Sequence, residues 1–452
     1  MNLLPNNWTY AKINDLISNE GIFVDGDWIE SKDQNPKGKV RLIQLADIGD
    51  GIFRDKSNRY LTKEKSVELG CTYLKKKDIL VARLPEPLGR ACIFPLNNSQ
   101  KYITAVDICI IRPENKGVNI KYLLFLINSP IIRIEIDKLK SGTTRKRISR
   151  KNFAKIDLPI APMYEQNRIV EKIEELFSDL DKATGDLKKT QEQLKIYRQA
   201  VLKAAFEGKL TEEWRQVRKE ASNMEYNTLN KICIKAEKIK TDENSERQIK
   251  YLDISSIDNK VFKIISHKTY QIKNAPSRAK QIVKEGDTLF STVRTYLKNI
   301  AYIHSEYDNE ICSTGFCVIR PKNIFLSGKY VFYYVISDDF VNRVSPLQTG
   351  TSYPAVRDDD ILKQTIPLVT IDEQEQIVQE IESRLSVCDK LEETVQKSLE
   401  KIGYLRQSIL KKAFKGKLVK QDSNGEPAEK LLERIKQEKV KFESNNKKRK
   451  KR

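Results

Sequence analysis

A dense run of cations, "SGTTRKRISRKN", occupies residues 141–152 and is predicted to form a loop before a strand. Arginine can bind guanine through two hydrogen bonds and lysine neutralises phosphate, so this run is suited to DNA. A solvated run of charges is the alternative. The Gly and Thr residues of the loop would allow a close approach of the backbone. The candidate DNA contacts here are Thr143, Arg145, Lys146, Arg147 and Arg150.

Three further loops carry guanidinium, amide or aromatic groups. The segment "QTGTSYPAVRDDD" (348–360) has a similar Gly-Thr start but replaces most of the cations, as expected if two loops read different sequences. The loops "ARLPEPLGRACIF" (82–94) and "STVRTYLKNIAYI" (291–303) could enter a major groove, although an arginine there could equally pair with a core carboxylate. The candidates are Arg83, Arg90, Arg294, Tyr296, Lys298, Thr351, Tyr353 and Arg357.

No recognised catalytic motif occurs in the sequence. It contains no GxxxxGK[ST] loop, no GxGxxG after a predicted strand, no HExxH and no GxSxG. The seven cysteines form no CxxC pair and the chain has only two histidines, which favours buried reduced thiols over disulfides or a zinc site. We therefore expect a chain that catalyses nothing by itself and binds no cofactor or metal.

The charge balance favours a polyanionic partner. The 452 residues include 82 Lys and Arg against 62 Asp and Glu, and eight of these cations lie between Lys439 and Arg452. Nucleic acid is the first candidate, and a basic drift in a lysine-rich genome is the alternative. The sequence has no apolar run long enough to span a membrane and its start lacks the pattern of a secretory signal, so a cytoplasmic location is expected.

The chain contains an internal duplication with an offset of 208 residues. The segment "LPIAPMYEQNRIVEKIEELFSDLDK" (158–182) aligns without a gap with "IPLVTIDEQEQIVQEIESRLSVCDK" (366–390), and "KAAFEGKL" (203–210) aligns with "KKAFKGKL" (411–418). About 21 of the 53 positions from 158 to 210 are identical to their equivalents. This similarity indicates a repeat of one globular domain followed by one long helix.

The two long segments have apolar residues at alternating steps of four and three, which is typical of a coiled coil. The first seam runs from Ile169 to Ala204 and the second from Ile377 to Lys412. We expect the two helices to pair antiparallel with each other; homodimerisation through one helix is the alternative. The predicted fold is α+β, with two β-rich domains separated by two long antiparallel coiled-coil helices in a pseudo-two-fold internal repeat.

The predicted segments are a first domain (1–160), a central helix (161–212), a second domain (213–367), a C-terminal helix (368–420) and a basic tail (421–452). The last ten residues of the tail are expected to be disordered. Prolines precede both helices, and each helix ends in Ala-Phe-x-Gly-Lys-Leu.

This arrangement resembles the DNA-specificity subunit of type I restriction-modification enzymes, over residues 1 to about 420. The resemblance rests on a set of motif residues in each repeat: Pro159, Glu165, Gln166, Ala205, Phe206, Gly208, Lys209 and Leu210, with their equivalents Pro367, Glu373, Gln374, Ala413, Phe414, Gly416, Lys417 and Leu418. It implies that each β-rich domain is a target-recognition domain that reads half of a split target in double-stranded DNA.

The resemblance also implies partner subunits. Two adenine methyltransferase subunits would use S-adenosylmethionine, and restriction subunits would act as an ATP-dependent endonuclease with Mg²⁺. The candidate docking residues are Glu165, Gln166, Phe206, Lys209, Glu373, Gln374, Phe414 and Lys417. A standalone tandem DNA-binding regulator, or a coiled-coil scaffold, is the alternative function.

Overall fold

Two units divide the chain in the computed structural model. The structure describes residues 4–97, 99–114, 117–219, 224–239, 246–322, 326–421 and 425–450, with only the backbone described over 442–450. The first unit comprises Met1–Asp186 with Ser398–Arg452, and the second comprises Leu187–Lys397. Each unit therefore combines one β-rich domain with a part of each long helix. The division into five sequence segments stays a prediction.

The β-rich part of the first unit, here called domain 1, contains nine strands and four short α-helices within its described residues. The strands are β1 (Thr9–Ala11), β2 (Ile22–Asp25), β3 (Val40–Ile43), β4 (Arg59–Leu61), β5 (Ile79–Ala82), β6 (Ala91–Ile93), β7 (Lys101–Thr104), β8 (Ile108–Arg112) and β9 (Leu158–Ile160). The helices are α1 (Lys63–Glu68), α2 (Ile120–Ile127), α3 (Pro130–Leu139) and α4 (Arg150–Phe153). Strands β2, β8, β5 and β6 form an antiparallel sheet in that order, β4, β3 and β7 form a second sheet, and β1 pairs with β9.

The second unit contains domain 2, whose elements begin after the first long helix. They start with α6 (Glu212–Arg218), β10 (Glu225–Thr228), α7 (Leu229–Ile232), β11 (Cys233–Ile234), β12 (Gln248–Leu252), β13 (Ile257–Asp258), β14 (Lys263–Ile264), β15 (Lys268–Gln271) and β16 (Ala279–Ile282). They continue with β17 (Thr288–Ser291), β18 (Ile300–Tyr302), β19 (Ile311–Ser313), β20 (Phe316–Pro321), α8 (Gly328–Val335), α9 (Asp338–Val344), α10 (Asp358–Leu362) and β21 (Thr365–Leu368).

The sheets of domain 2 repeat the topology of domain 1. Strands β11, β20, β17 and β18 correspond to the antiparallel sheet of domain 1, and β15, β12, β19 and β16 correspond to its second sheet with one strand added. The parallel pair β3–β7 has its counterpart in β12–β19, and the pair β1–β9 has its counterpart in β10–β21. The repeat seen in the sequence is therefore a repeat of sheet topology as well.

A buried ion pair occupies the same place in both domains. Arg112 on β8 donates from Nε and Nη2 to the two carboxylate oxygens of Asp78, each over 2.6 Å. Arg320, the equivalent residue on β20, donates to Asp287 over 2.9 and 2.8 Å. Because both partners of each pair are buried, each charge depends on the other for compensation. The pairs join an inner strand of each sheet to the residue just before the neighbouring strand.

The first long helix, α5, spans Met163–Phe206, and the second, α11, spans Ile371–Ala413. Gly208 and Gly416, just beyond the two ends, have φ of +74° and +66°. The following amides, Lys209 N and Lys417 N, donate back to Ala204 O and Lys412 O over 2.9 Å. A left-handed glycine with such a bond ends a helix without a steric penalty, which explains the Gly in the repeated motif.

The helices pair antiparallel within each unit. In the first unit Arg406 of α11 forms an ion pair with Asp181 of α5, and in the second Arg198 of α5 lies 2.5 Å from Asp389 of α11. Arg198 and Arg406 are equivalent in the repeat, as are Asp181 and Asp389, so the pairing obeys the pseudo-two-fold relation. The prediction of an antiparallel helix pair is confirmed.

The predicted seam is buried at some of its positions and exposed at others. The buried positions include Ile169, Ile173, Leu194, Val201, Ile377, Ile381, Cys388 and Val395. The seam prediction is wrong at four positions that are exposed, namely Tyr197, Leu391, Leu405 and Lys412. At the helix ends, a β-rich domain packs beside the helix and adds to the burial.

A further helix, α12 (Ala428–Lys450), packs against domain 1 after the second repeat has ended. The sequence predicts disorder over the last ten residues, but the backbone is helical up to Lys450. Residues 451–452 lie outside the described residues. A helix that is anchored by packing at its start can continue by adding one backbone hydrogen bond per residue.

All seven cysteines are buried and free, so the prediction of buried thiols is confirmed. Over the described ranges, no group of three or more His, Cys, Asp and Glu residues is arranged to hold a metal ion. Of the helices in the described part of the chain, none has the length and apolar character that crossing a membrane requires.

Candidate nucleic-acid interface

Two equivalent hairpins lie at the predicted DNA-reading loops, one in each domain. In the first hairpin (141–147), Ser141 and Arg147 exchange two backbone hydrogen bonds of 2.9 Å. In the second (349–355), Thr349 and Ala355 exchange bonds of 2.9 and 3.0 Å. The glycines after the first residue, Gly142 and Gly350, have φ of +93° and +95°. The two hairpins therefore share one backbone frame, and their side chains distinguish them.

The tip of the first hairpin is exposed and cationic. Thr143, Arg145, Lys146 and Arg147 are all exposed. Lys146 Nζ lies 3.4 Å from a carboxylate oxygen of Glu86. Among the described residues, the side chains of Arg145 and Arg147 have no hydrogen bond or ion pair, so their guanidinium groups are available to a ligand. Gly142 is required at this turn, because a Cβ there would lie 2.5 Å from Arg145 O.

Two of the predicted DNA contacts beside this hairpin are instead held by one carboxylate. Arg150 Nε lies 3.1 Å from one oxygen of Asp25, and Arg83 Nε lies 3.3 Å from the other. Arg150 also donates to Phe23 O over 3.0 Å, and Arg83 donates to Val106 O. These contacts fix the end of β2 to the neighbouring loops, and the assignment of Arg83 and Arg150 to DNA stays a prediction.

Arg90 is also structural, contrary to the prediction. Only 8% of the residue is exposed, and it donates to Ile48 O over 2.9 Å and Pro85 O over 2.8 Å. Burial lowers the pKa of its guanidinium, and the nearby positive charges of Arg54 and Arg133 lower it further. An arginine whose donors serve its own backbone carbonyls cannot also read a base.

Arg90 forms part of the wall of an open cavity of about 410 Å³ next to the first hairpin. Asp50, Arg54, Pro85 and Glu86 line it as well. Since Glu86 is the residue that approaches Lys146, the cavity and the hairpin form one continuous surface. Arg54 is exposed there, and sequence reasoning missed it because a single arginine in a turn carries no pattern.

The second hairpin presents aromatic rings rather than cations. Tyr353 is 76% exposed and Tyr296, on the adjacent loop, is 55% exposed. The guanidinium carbon of Arg294 lies 5.6 Å from the Tyr353 ring centre, and Arg294 N donates to Pro354 O over 2.8 Å. Thr351 and Arg357 are also exposed. The structure therefore brings the loop 291–303 and the hairpin together on one surface of domain 2.

Lys298 is the exception in domain 2. Its Nζ lies 2.5 Å from Asp338 Oδ1 and donates to Ile336 O over 3.2 Å, so the ammonium is used within the domain. The prediction that Lys298 binds DNA stays a prediction, and these internal contacts do not support it. Two residues of this surface were not predicted from the sequence. Leu297 is exposed beside Tyr296, and the side-chain amide of Asn259 donates to Leu297 O over 2.7 Å.

Four of the predicted docking residues are buried. Gln166 accepts from Asn119 N and donates to Ala161 O, each over 2.9 Å, and Gln374 forms the same pair of bonds with Ser327 N and Val369 O. The glutamates are equally internal: Glu165 accepts from Gln421, and Glu373 accepts from Thr211 and Arg215. All four hold the start of a long helix to its own unit, and their assignment to docking is corrected.

The two motif phenylalanines are also core residues. Phe414 packs edge-on against Tyr122, with ring centres 5.2 Å apart, and Phe206 packs against Tyr330 at 5.1 Å. These tyrosines are equivalent, and each donates its hydroxyl over 2.9 Å to the proline carbonyl before a long helix. The docking prediction is wrong for Phe206 and Phe414, because both rings are buried. Of the eight docking candidates, Lys209 and Lys417 are exposed.

A second exposed feature recurs on the long helices. Ile196 on α5 is 70% exposed, and its equivalent on α11, Tyr404, is 77% exposed. The next residues, Tyr197 and Leu405, are also exposed. Each unit thus carries an apolar helix patch at the same repeat position, defined here as patch A (Ile196, Tyr197) and patch B (Tyr404, Leu405).

The sequence is similar to known specificity subunits. It is 25% identical over 353 residues to the type I restriction enzyme EcoDI specificity subunit of Escherichia coli, covering 72% of this chain and 77% of that protein. It is 23% identical over 445 residues to the type I restriction enzyme MjaVIII specificity subunit of Methanocaldococcus jannaschii, covering 92% of this chain and 94% of that protein.

A solved structure shares the fold. Its description reads "Structural basis underlying complex assembly and conformational transition of the type I R-M system". The TM-score is 0.66 and the identity 17%, and the match covers 92% of this chain and 99% of that one. The family model described as "Type I restriction modification DNA specificity domain" matches residues 5–195 and again 221–401. With both repeats matched by that model, the chain belongs to the family of type I restriction-modification DNA specificity subunits.

Proposed function

We propose that this specificity subunit recognises a split DNA target, with domain 1 reading one half and domain 2 the other. The observation that carries the proposal is the pair of equivalent hairpins, which share a backbone frame but expose Arg145, Lys146 and Arg147 in one case and Tyr353 in the other. Equivalent frames position two loops in the same way relative to their own domains. Different side chains on those frames support readout of two different base sequences.

The test is the methylated motif. The chain is expressed with its candidate adenine methyltransferase, and the DNA of the host cells is sequenced by a single-molecule method that detects methyladenine. We expect one motif with two specified parts separated by unspecified bases. A continuous motif, or methylation without sequence preference, would contradict separate readout by two domains.

The proposed partners are two adenine methyltransferase subunits, docked on patches A and B. Large apolar side chains that stay exposed on a helix support a protein partner, and their recurrence at equivalent positions supports two copies of the same partner. Lys209 and Lys417, exposed beyond the two helix ends, are candidate rim contacts. Restriction subunits would join this assembly.

Native mass spectrometry tests the docking sites. Ile196→Asp or Tyr404→Asp is expected to leave one methyltransferase per chain where the unaltered chain binds two, because a charge in an apolar interface is not compensated. The double variant should bind none. Lys189→Asp, an exposed change elsewhere on α5, is the matched control and should still bind two. Two bound copies on the double variant would place docking elsewhere.

S-adenosylmethionine, ATP and Mg²⁺ are proposed to act in the partner subunits. The chain alone, incubated with S-adenosylmethionine and DNA, is expected to produce no methyladenine above a heat-killed control. Addition of the methyltransferase should restore methylation. Methylation by the purified chain alone would refute this division of labour.

A further inference from the structure

A turn at residues 48–54 of domain 1 lies on the same surface as the first hairpin. It follows β3 and closes where Ile48 pairs with Phe53. Glu86 connects the turn to the hairpin, because it lines the cavity beside the turn and also approaches Lys146. Two segments that are about 90 residues apart in the sequence therefore contribute to one surface.

The backbone of this turn is fixed to the domain. Arg54 N donates to Asp47 O over 2.7 Å, and Gly51 N donates to Ala91 O over 2.8 Å. Asp47 is itself buried, and its carboxylate accepts from Ser57 N over 2.8 Å. A turn that is held in this way presents its side chains without the entropic cost of ordering a flexible loop.

The guanidinium group of Arg54 is exposed on this fixed turn. Its side chain lies over Gly49, where a Cβ would come within 2.9 Å of Arg54 Nε. Among the residues that the structure describes, none forms a hydrogen bond or an ion pair with the Arg54 side chain. The nearby carboxylate of Asp50 is bound by Arg133 over 2.9 Å. Arg54 therefore differs from Arg90 in the same cavity, whose donors are used by backbone carbonyls.

The surroundings of Arg54 favour a base edge over a phosphate. Ile52 on the same turn is 67% exposed, and Pro85 lines the cavity. The carboxylates of Asp50 and Glu86 also line it, and negative charge there weakens the attraction for phosphate. A base edge offers acceptors, donors and methyl groups, whereas a phosphate offers charged acceptors alone. A rim that combines a guanidinium group, carboxylates and apolar groups therefore suits a base edge.

The equivalent turn of domain 2 has the same placement and different side chains. It follows β12, the counterpart of β3, and is formed by the pair β13–β14 (257–264). The side-chain amide of Asn259 in this turn donates to Leu297 O over 2.7 Å, so the turn lies against the predicted DNA-reading loop of its domain. Val261 is 53% exposed there. A shared frame with different exposed residues is the relation that the two hairpins also show.

We propose that the turn 48–54 is a second base-reading element of domain 1, in which Arg54 donates two hydrogen bonds to the major-groove edge of a guanine. The guanine belongs to the same half of the target that the hairpin 141–147 contacts. The inference rests on the proposed function, and it adds a specificity-determining residue outside the two hairpins.

Arg54→Ala in the full chain, coexpressed with the candidate methyltransferase, tests the assignment. We expect the methylated motif to lose its preference at one base pair of one half, while the other half and the gap stay the same. The purified complex should bind a fluorescent target duplex roughly five- to 150-fold more weakly, and an unrelated duplex should be affected much less, because a bidentate arginine discriminates between bases. Lys188→Ala, which removes an exposed cation on α5, is the charge-matched control and should keep the motif.

A second substitution and the salt dependence make the result decisive. Arg54→Gln retains most of the side-chain stem over Gly49 and should relax the same base pair, and unchanged circular dichroism should show that both variants fold. Equal weakening on target and unrelated duplexes, with a salt slope reduced by about 1, would make Arg54 a phosphate contact and overturn the inference. Relaxed preference in both halves of the motif would overturn it as well.

The unaltered chain separates this inference from the proposed function. If it produces a split motif, and both Arg54 variants produce the same motif with the same affinity, the inference alone is refuted. If it produces a continuous motif, the proposed function is refuted. Comparison of the variants with the unaltered chain on that motif would still decide whether Arg54 reads a base.

Discussion

The hairpins 141–147 and 349–355 have the same backbone and different chemistry. Both close with two backbone hydrogen bonds, and both turn at a glycine, with φ of +93° in one and +95° in the other. The first exposes Arg145 and Arg147, whereas the second exposes Tyr353 with Arg294 beside its ring. One surface is suited to phosphates and guanine edges, and the other to apolar contact with a thymine methyl group.

The rest of the two domains differs much less. Both retain a buried Arg–Asp pair, a buried tyrosine bonded to a proline carbonyl, and a phenylalanine from a helix end packed on that tyrosine. These groups determine whether the domain folds, because the loss of any of them leaves a buried polar group unpaired or a cavity. None of these groups lies in the hairpin tips, so we expect the tips to tolerate substitution without loss of the fold.

Exchange of a whole domain should change the recognised DNA sequence more than any of the other variants. Replacement of residues 1–158 with the matching domain of a relative is expected to change one half of the methylated motif completely and to leave the other half unchanged, since each domain makes its own contacts with DNA. Sequencing of methylated DNA measures both halves at once. A simultaneous change of both halves would show that the domains do not read independently.

Lengthening α5 should alter the gap between the halves and neither half itself. Four residues inserted after Leu187 add about 6 Å to the helix, and DNA advances about 3.4 Å per base pair. The insertion also turns the helix by about 40° and disturbs the heptad seam, so relaxation should absorb part of the added length. We expect one or two additional unspecified base pairs and some loss of stability. A stable, active variant with the original gap would contradict this.

Breaking either buried ion pair should destabilise the chain by a similar amount. Asp78→Ala or Asp287→Ala is expected to lower the free energy of unfolding by about 3–5 kcal/mol, because a buried arginine is left without its partner. Urea unfolding followed by circular dichroism measures the change. Glu393→Ala, which removes an exposed pair with Lys397 on α11, is the control and should have little effect. A small effect at only one of the two sites would show that the shared frame is not equally important in both domains.

Single substitutions at the hairpin tips should have smaller effects that differ in salt dependence. Arg145→Ala and Arg147→Ala are each expected to weaken target binding by about 1–3 kcal/mol if they reach bases. Tyr353→Ala should weaken binding without changing the salt slope, because an uncharged ring releases no counterions. Lys188→Ala on α5 is the control. A loss at Arg145 and Arg147 that appears only as a reduced salt slope would make them phosphate contacts.

Periodicity and repetition in the sequence determined the architecture. The offset of 208 residues predicts two equivalent domains, and the apolar seams predict two long antiparallel helices, now observed at Met163–Phe206 and Ile371–Ala413. The cationic and aromatic hairpins were also identifiable, because Gly-Thr turns with charged or aromatic tips form a local pattern. Local patterns report which residues are helical, extended or turning.

Tertiary structure alone decided which of the predicted site residues face inward. Gln166 is satisfied by Asn119 N, and Phe414 packs on Tyr122, which is far from it in the sequence. Arg90 gives its donors to backbone carbonyls of separate loops, and Arg83 shares Asp25 with Arg150. A sequence records the charge of an arginine or the amide of a glutamine but not the distant carbonyl or carboxylate that satisfies it. Burial of such a group is favourable only when that partner is in place, and the partner is positioned by the folded chain.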